Sequence, residues 1–521
     1  MKSILKLSLF LPLLLTGCGT KDESSNSSIE ESSDELSNES VINPSTNTKA
    51  MNIYQLLVYS FADSNGDGIG DFKGIVDKLD YLSNLGVEGI WLSPIHKCNS
   101  YHGYDVTDYY AINEKFETKS GNTKYDYKYL LDKCHEKGIK VIMDLVLNHT
   151  ASNHVWKSSH SDWYSGKDVF GGGMSDLNYD KQEVQDAMID VGTYWLDKGF
   201  DGYRLDAAMW LYNSKPGTDA SSVDHNKNYA YWKKWCKAMT DKNPDCYIVG
   251  EVLNKNHDLS YQYAQAGFDS TFDFNVRTHI ENAIKNPSYD YVGNTIKDMN
   301  KALKYNQDYI LGRAISNHDI GRFTQKHNGM SDESAHYVTS FEDIRLANAL
   351  NIMMRGNTFV YYGDELGLSG TADGARKDYY DDLNFRTPMP WGTGRTDSKK
   401  YFWSQVPGDK STTSVAKSGK TAEEDASSST SLYYAVKTLL NIKKNSNAIK
   451  NGAVKKMTNL PEGLQGYTLS DDKETTGFIY NPSNKTITYE TTDNVIVNVG
   501  GSESNSLNLP SKSYIVTQVN K

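Results

Sequence analysis

The chain has 521 residues, a formal net charge of −11 and no long basic run, so nucleic acid is not an expected partner. Its length exceeds that of one ordinary domain and is sufficient to bury a large core. Aromatic residues make up 12% of the chain, and its 36 tyrosines and 9 tryptophans provide flat rings with polar groups that suit sugars as well as a protein core.

The first residues have the pattern of an export signal. Lys2 and Lys6 flank an apolar run, Leu7–Leu15, that is too short to span a bilayer stably. The run leads into Leu15-Thr16-Gly17-Cys18, which resembles a bacterial lipoprotein cleavage box. We therefore expect residues 1–18 to be a signal peptide and Cys18 to be a lipidated mature N-terminus. The protein would then be an exported, cell-surface lipoprotein; the alternative is an ordinary signal peptide in which Cys18 is incidental.

Residues 19–49 are rich in Ser, Asn and Glu and contain few large apolar residues. Such a segment cannot bury a core, and the composition predicts a disordered tether. Four cysteines follow it, at positions 98, 134, 236 and 246. Export would permit disulfides, but their pairing cannot be deduced from spacing.

From Ile53 onward, short apolar segments alternate with helical patterns. Eight strands interleaved with helices predict an α/β protein, a (β/α)8 barrel formed by residues 50–148 and 201–451. The predicted strands are Gln55–Phe61, Gly89–Leu92, Lys140–Val146, Gly202–Leu205, Tyr247–Val249, Ser270–Phe274, Tyr309–Ile315 and Thr358–Tyr361. The predicted helices include Phe72–Leu85, Lys124–Lys137, Lys181–Lys198, Tyr229–Thr240 and Ser431–Asn451.

Two further segments do not fit the repeating unit of strand and helix. Residues 149–200 contain a long stretch rich in Gly, Trp and Ser before their helix, and a connection of that length predicts an inserted domain after the third strand. Residues 452–521 alternate in short runs with turn signals, which predicts a C-terminal antiparallel β-domain.

A metal-binding loop is predicted between the first strand and the first long helix. In Asp63-Ser64-Asn65-Gly66-Asp67-Gly68-Ile69-Gly70-Asp71, oxygen-bearing side chains alternate with residues that permit a tight turn. Side-chain oxygens of Asp63, Asn65, Asp67 and Asp71 and the carbonyl oxygen of Ile69 form a donor set suited to Ca²⁺. The alternative is a polar turn without metal.

Polar residues follow four of the predicted strands at their C-terminal ends, where barrel active sites are built. The clusters are Asp144–His149, Arg204 with Asp206, Glu251, and Ser316–Asp319. Paired carboxylates in such a position indicate cleavage of glycosidic bonds, one as nucleophile and one as proton donor. We expect Arg204 to keep Asp206 ionised, and burial to raise the pKa of Glu251.

These clusters resemble the four sequence regions of the α-amylase family of glycoside hydrolases, in the family's order. The matching patterns are Asp144-x-x-x-Asn148-His149, Gly202-x-Arg204-x-Asp206, Glu251 and Asn317-His318-Asp319. Ser175-Asp176-Leu177-Asn178 resembles the family's fifth region, and the resemblance covers roughly residue 54 to the C-terminus. It implies a barrel, an inserted domain after strand three and a C-terminal β-domain.

The resemblance also implies roles for individual residues. Asp206 would be the nucleophile, Glu251 the acid/base, and Asp319 the carboxylate that holds sugar hydroxyls and helps distort the ring. The implied substrate-binding residues are Tyr104, which would stack on the sugar, His149, Arg204 and His318. The Asp63–Asp71 loop matches a calcium loop found in part of the family. The implied reaction is retaining hydrolysis of α-glucosidic bonds through a covalent glycosyl-enzyme, and we expect a monomer acting on α-glucans.

Individual positions bear on specificity within the family. Tyr101 stands where family α-glucosidases often carry Asp, which favours an open, endo-acting cleft. Ala207 stands where relatives specific for α-1,6 bonds often carry Val, which favours α-1,4 linkages. Met209-Trp210 replaces a Lys-His pair of many α-amylases, which leaves the product-side contacts and a second calcium site open. The segment Arg386–Trp391 resembles the glucosidase-like branch.

Three functions therefore remain under consideration from the sequence. The first is an α-amylase that cleaves inside α-1,4-glucan chains. The second is an α-glucosidase or a neopullulanase-type enzyme. The third is a non-catalytic glucan-binding lipoprotein, whose expected mark is a broken set of acids, whereas Asp206, Glu251 and Asp319 are all present.

Overall fold

The computed structural model describes residues 37–41, 43–324, 340–369, 386–391, 418–499 and 506–519. The predicted signal peptide, Cys18 and most of the predicted tether lie outside these residues. No helix within the described ranges is both long and apolar enough to span a bilayer.

Eight parallel strands form the predicted barrel, and this prediction is confirmed. In chain order they are β1 (Asn52–Leu56), β2 (Gly89–Leu92), β3 (Lys140–Val146), β4 (Gly202–Asp206), β5 (Tyr247–Gly250), β6 (Ser270–Thr271), β7 (Gly312–Arg313) and β8 (Asn357–Tyr361). Each strand pairs with its neighbours in sequence, and β8 pairs with β1. A single parallel bridge between Phe272 and Gly312 joins β6 to β7 and completes the ring.

Three strands differ from their predicted bounds by more than one residue. The first strand begins at Asn52 and ends at Leu56, whereas the apolar run that predicted it continues as a one-turn helix, Val58–Phe61. Periodicity cannot separate a buried strand from a buried helical turn, so the sequence predicts this run as one element. The strands β6 and β7 are only two residues long, Ser270–Thr271 and Gly312–Arg313, and are shorter than the runs that predicted them.

Close packing of β4 against β5 requires a glycine. A Cβ atom at Gly202 would lie 2.1 Å from the carbonyl oxygen of Tyr247. All five residues of β4 are buried, as expected for a parallel strand covered on both faces. This contact fixes the spacing of the two strands that end in Asp206 and Glu251.

Helices surround the barrel and, together with shorter turns of helix, occupy the connections. The described α-helices are Val58–Phe61, Phe72–Asp77, Leu79–Leu85, Tyr127–Glu136, Trp156–Ser159, Gln182–Asp197, His225–Lys242, Asp258–Gln262, Asn275–Lys285, Tyr291–Leu303, Phe341–Ile352, Ala422–Ala426, Leu432–Lys444 and Asn447–Asn451. The predicted helices 72–85 and 431–451 are each divided into two.

The connection after β3 contains its own small elements. The strand His149–Ala151 pairs in antiparallel fashion with Met174–Asp176, and the helix Trp156–Ser159 lies between them in sequence. The helix Gln182–Asp197 then returns the chain to β4. Another hairpin, His96–Cys98 with Val106–Ile112, follows β2 and contributes residues to the same end of the barrel.

The C-terminal residues form antiparallel sheets. The strands are Ala453–Lys456, Gln465–Ser470, Thr475–Asn481, Ile487–Glu490, Asn494–Asn498, Ser506–Leu509 and Ser513–Gln518. Five of them form one sheet, and Ile487–Glu490 pairs separately with Ser506–Leu509. The four cysteines that follow the predicted tether, Cys98, Cys134, Cys236 and Cys246, are free thiols.

The prediction of disorder as far as residue 49 is wrong for its last part. Ser40–Val41 forms an edge strand on Ala453–Lys456. Thr46 donates to Asp308 from its backbone and hydroxyl groups, both at 2.8 Å, and Lys49 bridges to Asp269 at 3.1 Å. Backbone and polar contacts order this segment, so its lack of large apolar residues was a poor guide.

Candidate active site

Asp144, Asp206 and Glu251 meet at the C-terminal ends of β3, β4 and β5. Parallel register pairs Arg204 with Asp144 on one side, and Leu205 with Gly250 on the other. Asp206 and Glu251 therefore follow equivalent positions on neighbouring strands, which lie about 4.8 Å apart in a sheet. The Ala207 N–H donates to Glu251 Oε2 at 3.0 Å and fixes the direction of that carboxyl group.

The guanidinium group of Arg204 joins these three carboxyl groups. Its Nη1 donates to Asp144 Oδ1 at 2.9 Å and to Asp206 Oδ1 at 2.7 Å, and its Nη2 lies 3.2 Å from Glu251 Oε1. The Arg204 side chain is only 1% exposed. Three carboxyl groups around one buried cation cannot all ionise without a net negative charge, so the cluster favours retention of a proton.

Burial raises the pKa of both Asp206 and Glu251, and Arg204 opposes that shift in each case. The neighbouring Asp206 raises the pKa of Glu251 further. The raised pKa of Glu251 agrees with the expectation from sequence. Arg204 also lowers the pKa of Asp206, which is the direction expected of a group that keeps Asp206 ionised, but the removal of water outweighs the single guanidinium that three carboxyl groups share.

A chain of hydrogen bonds connects His318 to Asp144 through Tyr104. Gln55 Nε2 lies 2.7 Å from His318 Nδ1, which leaves Nε2 as the protonated ring nitrogen. His318 Nε2 lies 2.8 Å from Asp319 Oδ2 and 2.5 Å from the Tyr104 hydroxyl group. Tyr104 in turn donates to Asp144 Oδ2 at 3.0 Å. The Tyr104 and His318 rings stack, with an interplanar angle of 11°.

Arg386 holds the carboxylate of Asp319, a contact that the sequence did not predict. Arg386 Nη2 donates to Asp319 Oδ1 at 2.9 Å, its Nε donates to the His318 carbonyl oxygen at 2.8 Å, and its Nη1 donates to the Tyr101 hydroxyl group at 3.1 Å. Burial would raise the pKa of Asp319, but His318 and Arg386 outweigh burial and hold that pKa well below its usual range. Burial also lowers the pKa of His318, so this histidine is neutral at pH 7. Arg386 is then the cation that stays beside Asp319.

Asp206, Glu251 and Asp319 line one open cavity of about 310 Å³. Tyr104 and His149 also line it, so the structure brings together all three predicted catalytic residues and two of the four predicted binding residues at one surface. Arg204 and His318 lie directly behind, buried and bonded to the carboxylates. The remaining lining residues are His102, Phe170, Met174, Leu253 and Arg386.

His149 presents an unsatisfied ring nitrogen. The residue is 2% exposed, and its Nε2 has no hydrogen-bond partner within the described part of the chain. Burial lowers the pKa of His149 to about 4, so the ring is neutral at pH 7. A neutral imidazole that lines the cavity is suited to hydrogen-bond a hydroxyl group.

Three apolar side chains of the cavity were not identified from sequence. Phe170 and Leu253 are 40% and 38% exposed, and Met174 lies on the hairpin of the inserted segment. The Phe170 ring lies 5.3 Å from His149 and 6.5 Å from Trp210. Single apolar residues in a Gly-rich loop carry no pattern that distinguishes them from ordinary loop residues.

The loop Asp63–Asp71 is closed by its own backbone. Asp63 accepts from the N–H groups of Gly66 and Gly68, and Asp71 accepts from Ser64 and from Gly74, where it caps the helix Phe72–Asp77. Within the described residues, no group of three or more His, Cys, Asp or Glu side chains is arranged to hold a metal. The loop thus contains the predicted donor residues, and the carboxyl groups of Asp63 and Asp71 accept hydrogen bonds from N–H groups of the loop itself.

Comparison with known proteins agrees with this geometry. The family model of the alpha-amylase catalytic domain matches residues 55–169 and 161–452. An alpha-amylase of Dictyoglomus thermophilum is 30% identical over 82% of this chain and 84% of its own length. An oligo-1,6-glucosidase of Parageobacillus thermoglucosidasius is 29% identical over 63% of this chain and 67% of its own length.

A solved structure extends the similarity to the fold. Eubacterium rectale Amy13B superposes with a TM-score of 0.76 over 92% of this chain and 97% of its own, at 26% identity. The residues that the family model matches contain the end of β1, the strands β2 to β8, and Asp206, Glu251 and Asp319. The chain is therefore an enzyme that belongs to the α-amylase family of glycoside hydrolases.

Proposed function

We propose that this enzyme hydrolyses α-1,4-glucosidic bonds inside starch-type glucans and maltooligosaccharides, with retention of configuration. The observation that carries the proposal is the placement of Asp206 and Glu251 on neighbouring strand ends, facing one cavity with Asp319. Closely spaced carboxyl groups of this kind serve retaining glycosidases, in which one carboxylate attacks and the other transfers protons.

The proposed reaction has two steps. An oxygen of Asp206 bonds to the anomeric carbon, while the glycosidic bond breaks and its electron pair passes to the leaving oxygen, which takes the proton of Glu251. Water then attacks the anomeric carbon and gives a proton to Glu251. The ester bond breaks, and its electron pair returns to Asp206. The shared burial that raises the pKa of Glu251 supports its role as proton donor.

Preference for α-1,4 bonds is supported by Ala207. Its backbone has a φ of 52°, in the left-handed region, and its N–H holds Glu251. A β-branched residue at such a φ is strained, so the valine found at this position in relatives specific for α-1,6 bonds suits this backbone poorly. Tyr101, which stands in place of an aspartate that clamps terminal sugars, supports cleavage inside chains.

A second candidate is an exo-acting α-glucosidase, and Arg386 is the observation that favours it. This arginine lines the cavity and joins Asp319 to Tyr101, so it narrows the space beside the cleavage point. The segment Arg386–Trp391 also resembles the glucosidase-like branch. The similarity to relatives named alpha-amylase and oligo-1,6-glucosidase is compatible with either activity.

An end-blocked maltoheptaoside distinguishes the two candidates. The products are followed by chromatography. Cleavage of the blocked substrate into short oligosaccharides supports the proposal of an endo-acting amylase. If the blocked substrate stays intact while the unblocked one loses single glucose units, the exo-acting alternative is correct. Asp206→Asn serves as the matched inactive control in both reactions.

The Asp63–Asp71 loop is proposed to bind Ca²⁺. Its carboxylates Asp63, Asp67 and Asp71 form no ion pair with Lys or Arg among the described residues, and burial raises the pKa of Asp71. Uncompensated carboxylates with an amide and a carbonyl oxygen fit a hard cation. Chelator should lower the melting temperature of the wild type but not of Asp67→Ala; equal curves with and without chelator would contradict the proposal.

Export and lipid anchoring through Cys18 are proposed from the sequence pattern described above. A radiolabelled fatty acid should be incorporated by cells that express the wild type, and Cys18→Ser should abolish that labelling and release the protein from membranes. Unchanged labelling of Cys18→Ser would contradict the assignment.

A further inference from the structure

The loop that carries His318 and Asp319 is a short turn after β7. It comprises residues 316–320 and brings the Asp319 carboxylate to the cavity. The side-chain oxygen of Asn317 accepts from the N–H groups of Asp319 and Ile320, at 2.7 and 2.6 Å. These bonds fix the shape of the turn from within, so the place of the turn over the cavity depends on how its two ends are held.

One side chain of a neighbouring helix holds both ends of this loop. Arg277 lies on the helix Asn275–Lys285. Its Nη1 donates to the carbonyl oxygen of Ile315 at 3.2 Å and to the carbonyl oxygen of Gly321. These two residues flank the loop, so a single guanidinium nitrogen closes the loop at its base.

The guanidinium group of Arg277 is itself fixed in direction. Its Nε donates to Glu281 Oε1 at 2.8 Å, one helical turn further along, and its central carbon lies 5.6 Å from the centre of the Phe323 ring. The side chains of Arg277 and Glu281 are only 13% and 12% exposed. A charge-assisted pair that is largely removed from water keeps its geometry better than an exposed pair does.

We propose that Arg277 is a positioning residue that sets the place of Asp319 through the backbone of its loop. The inference rests on the proposed role of Asp319 in catalysis, but not on linkage or on endo action. Arg277 is not among the residues that line the cavity, so its effect on catalysis passes through the loop. Arg386 binds the Asp319 carboxylate and the His318 carbonyl oxygen directly, whereas Arg277 acts on both ends of the turn.

Loss of this guanidinium should displace the loop. In Arg277→Met, the two flanking carbonyl oxygens lose a charged donor, and Glu281 loses its cation. The turn is then held less firmly at its base, while Arg386 still binds the Asp319 carboxylate. A group that is misplaced by about 1 Å in an active site lowers the rate by roughly 100-fold.

A double-mutant cycle separates positioning from structural support. The substrate is maltosyl fluoride, whose reactive leaving group keeps slow variants measurable. We expect Arg277→Met to lower kcat/KM by about 30- to 100-fold in the otherwise wild-type enzyme. In the Asp319→Asn enzyme, the same change should lower kcat/KM by no more than about 5-fold, because the carboxylate that Arg277 positions is already absent. Circular dichroism verifies the fold of each variant.

Arg355→Met is the matched control. Arg355 is also a buried arginine whose Nη1 donates to two backbone carbonyl oxygens, those of Asn43 and Gly452. It precedes β8 and therefore lies at the end of the barrel opposite the cavity. This variant should have a lower melting temperature than the wild type and the same kcat/KM.

An equal fall in the two backgrounds would show a merely structural role and overturn the inference, as would wild-type kcat/KM in Arg277→Met. If Arg277→Met does not fold, Arg277→Lys takes its place, because it keeps a cation beside Glu281 but loses the planar fork of donors. Arg277→Lys should cost about 10-fold in kcat/KM, again far less in the Asp319→Asn enzyme; wild-type turnover would overturn the inference. A wild type that hydrolyses no maltosyl fluoride would contradict the proposed function together with this inference, whereas the other outcomes leave the proposed function in place.

Discussion

His96 is a buried histidine whose protonation should destabilise the fold. It is fully buried, and neither ring nitrogen has a hydrogen-bond partner among the described residues. Its ring packs 5.4 Å from Trp195 and 5.9 Å from Tyr109, between the hairpin after β2 and the helix Gln182–Asp197. Burial, followed by the nearby His154, lowers the pKa of His96 from 6.5 to about 3.

The magnitude follows from proton linkage. The folded-state pKa lies below the unfolded one, so between these values the unfolded chain binds more protons, and stability falls as the pH falls. Full stability is present above pH 6.5 and is lost progressively toward the folded-state value. For a pKa of about 3 against 6.5, this one group removes about 2 kcal/mol of unfolding free energy between roughly pH 7.5 and pH 5.

The assay compares the wild type with His96→Phe, which retains a ring against Trp195 and removes both nitrogens. Urea unfolding followed by tryptophan fluorescence should show that the variant loses about 2 kcal/mol less than the wild type over that pH interval. His160→Phe is the control, because solvent reaches that half-buried ring on the inserted segment. Parallel losses in the wild type and His96→Phe would refute the argument that His96 is held neutral by burial.

Three more outcomes are expected. Removal of residues 1–49 should lower the melting temperature below that of a chain lacking only residues 1–36, because the edge strand and the Lys49–Asp269 bridge are then lost; equal melting temperatures in calorimetry would contradict this. Lys443→Met should cost roughly 2–5 kcal/mol in urea unfolding, since it orphans the Ile352 and Met354 carbonyl oxygens; a loss below about 1 kcal/mol would count against it. Asp319→Asn should abolish most turnover of a maltooligosaccharide with unchanged circular dichroism, and near-normal kcat would remove Asp319 from the catalytic set.

The architecture was predictable because it depends on local periodicity. A buried parallel strand such as β3 is largely apolar, and the order of the strands in the barrel follows chain order. The short strands β6 and β7 were overestimated, because strand length is set by the neighbours with which a segment pairs. The segment 37–49 was predicted to be disordered, because its polar contacts to Asp269 and Asp308 lie more than 200 residues away in sequence.

The site was predictable where a functional residue ends a barrel strand, as Asp206 and Glu251 do. The role of Arg386 was not predictable, because its contact with Asp319 joins residues 67 positions apart. Arg386 also does not follow a barrel strand, which is the feature that identified the other site residues. Sequence shows the R-x-D pair, in which Arg204 lowers the pKa of Asp206, but it does not show the burial that raises this pKa overall. The spacing of residues along one strand does not show how deeply their side chains are buried. It also does not show which carboxyl groups of neighbouring strands contact the same arginine.

The arrangement of charges separates two kinds of carboxyl group in the site. Asp319 has a cation of its own in Arg386, so it stays ionised as the pH falls through the working range. Asp144, Asp206 and Glu251 share Arg204, and burial raises the pKa of each of them, which keeps a proton within the group for transfer to a leaving oxygen. In the proposed reaction, the fixed anion of Asp319 therefore lines the same cavity as Asp206, which attacks as a carboxylate, and Glu251, which exchanges a proton.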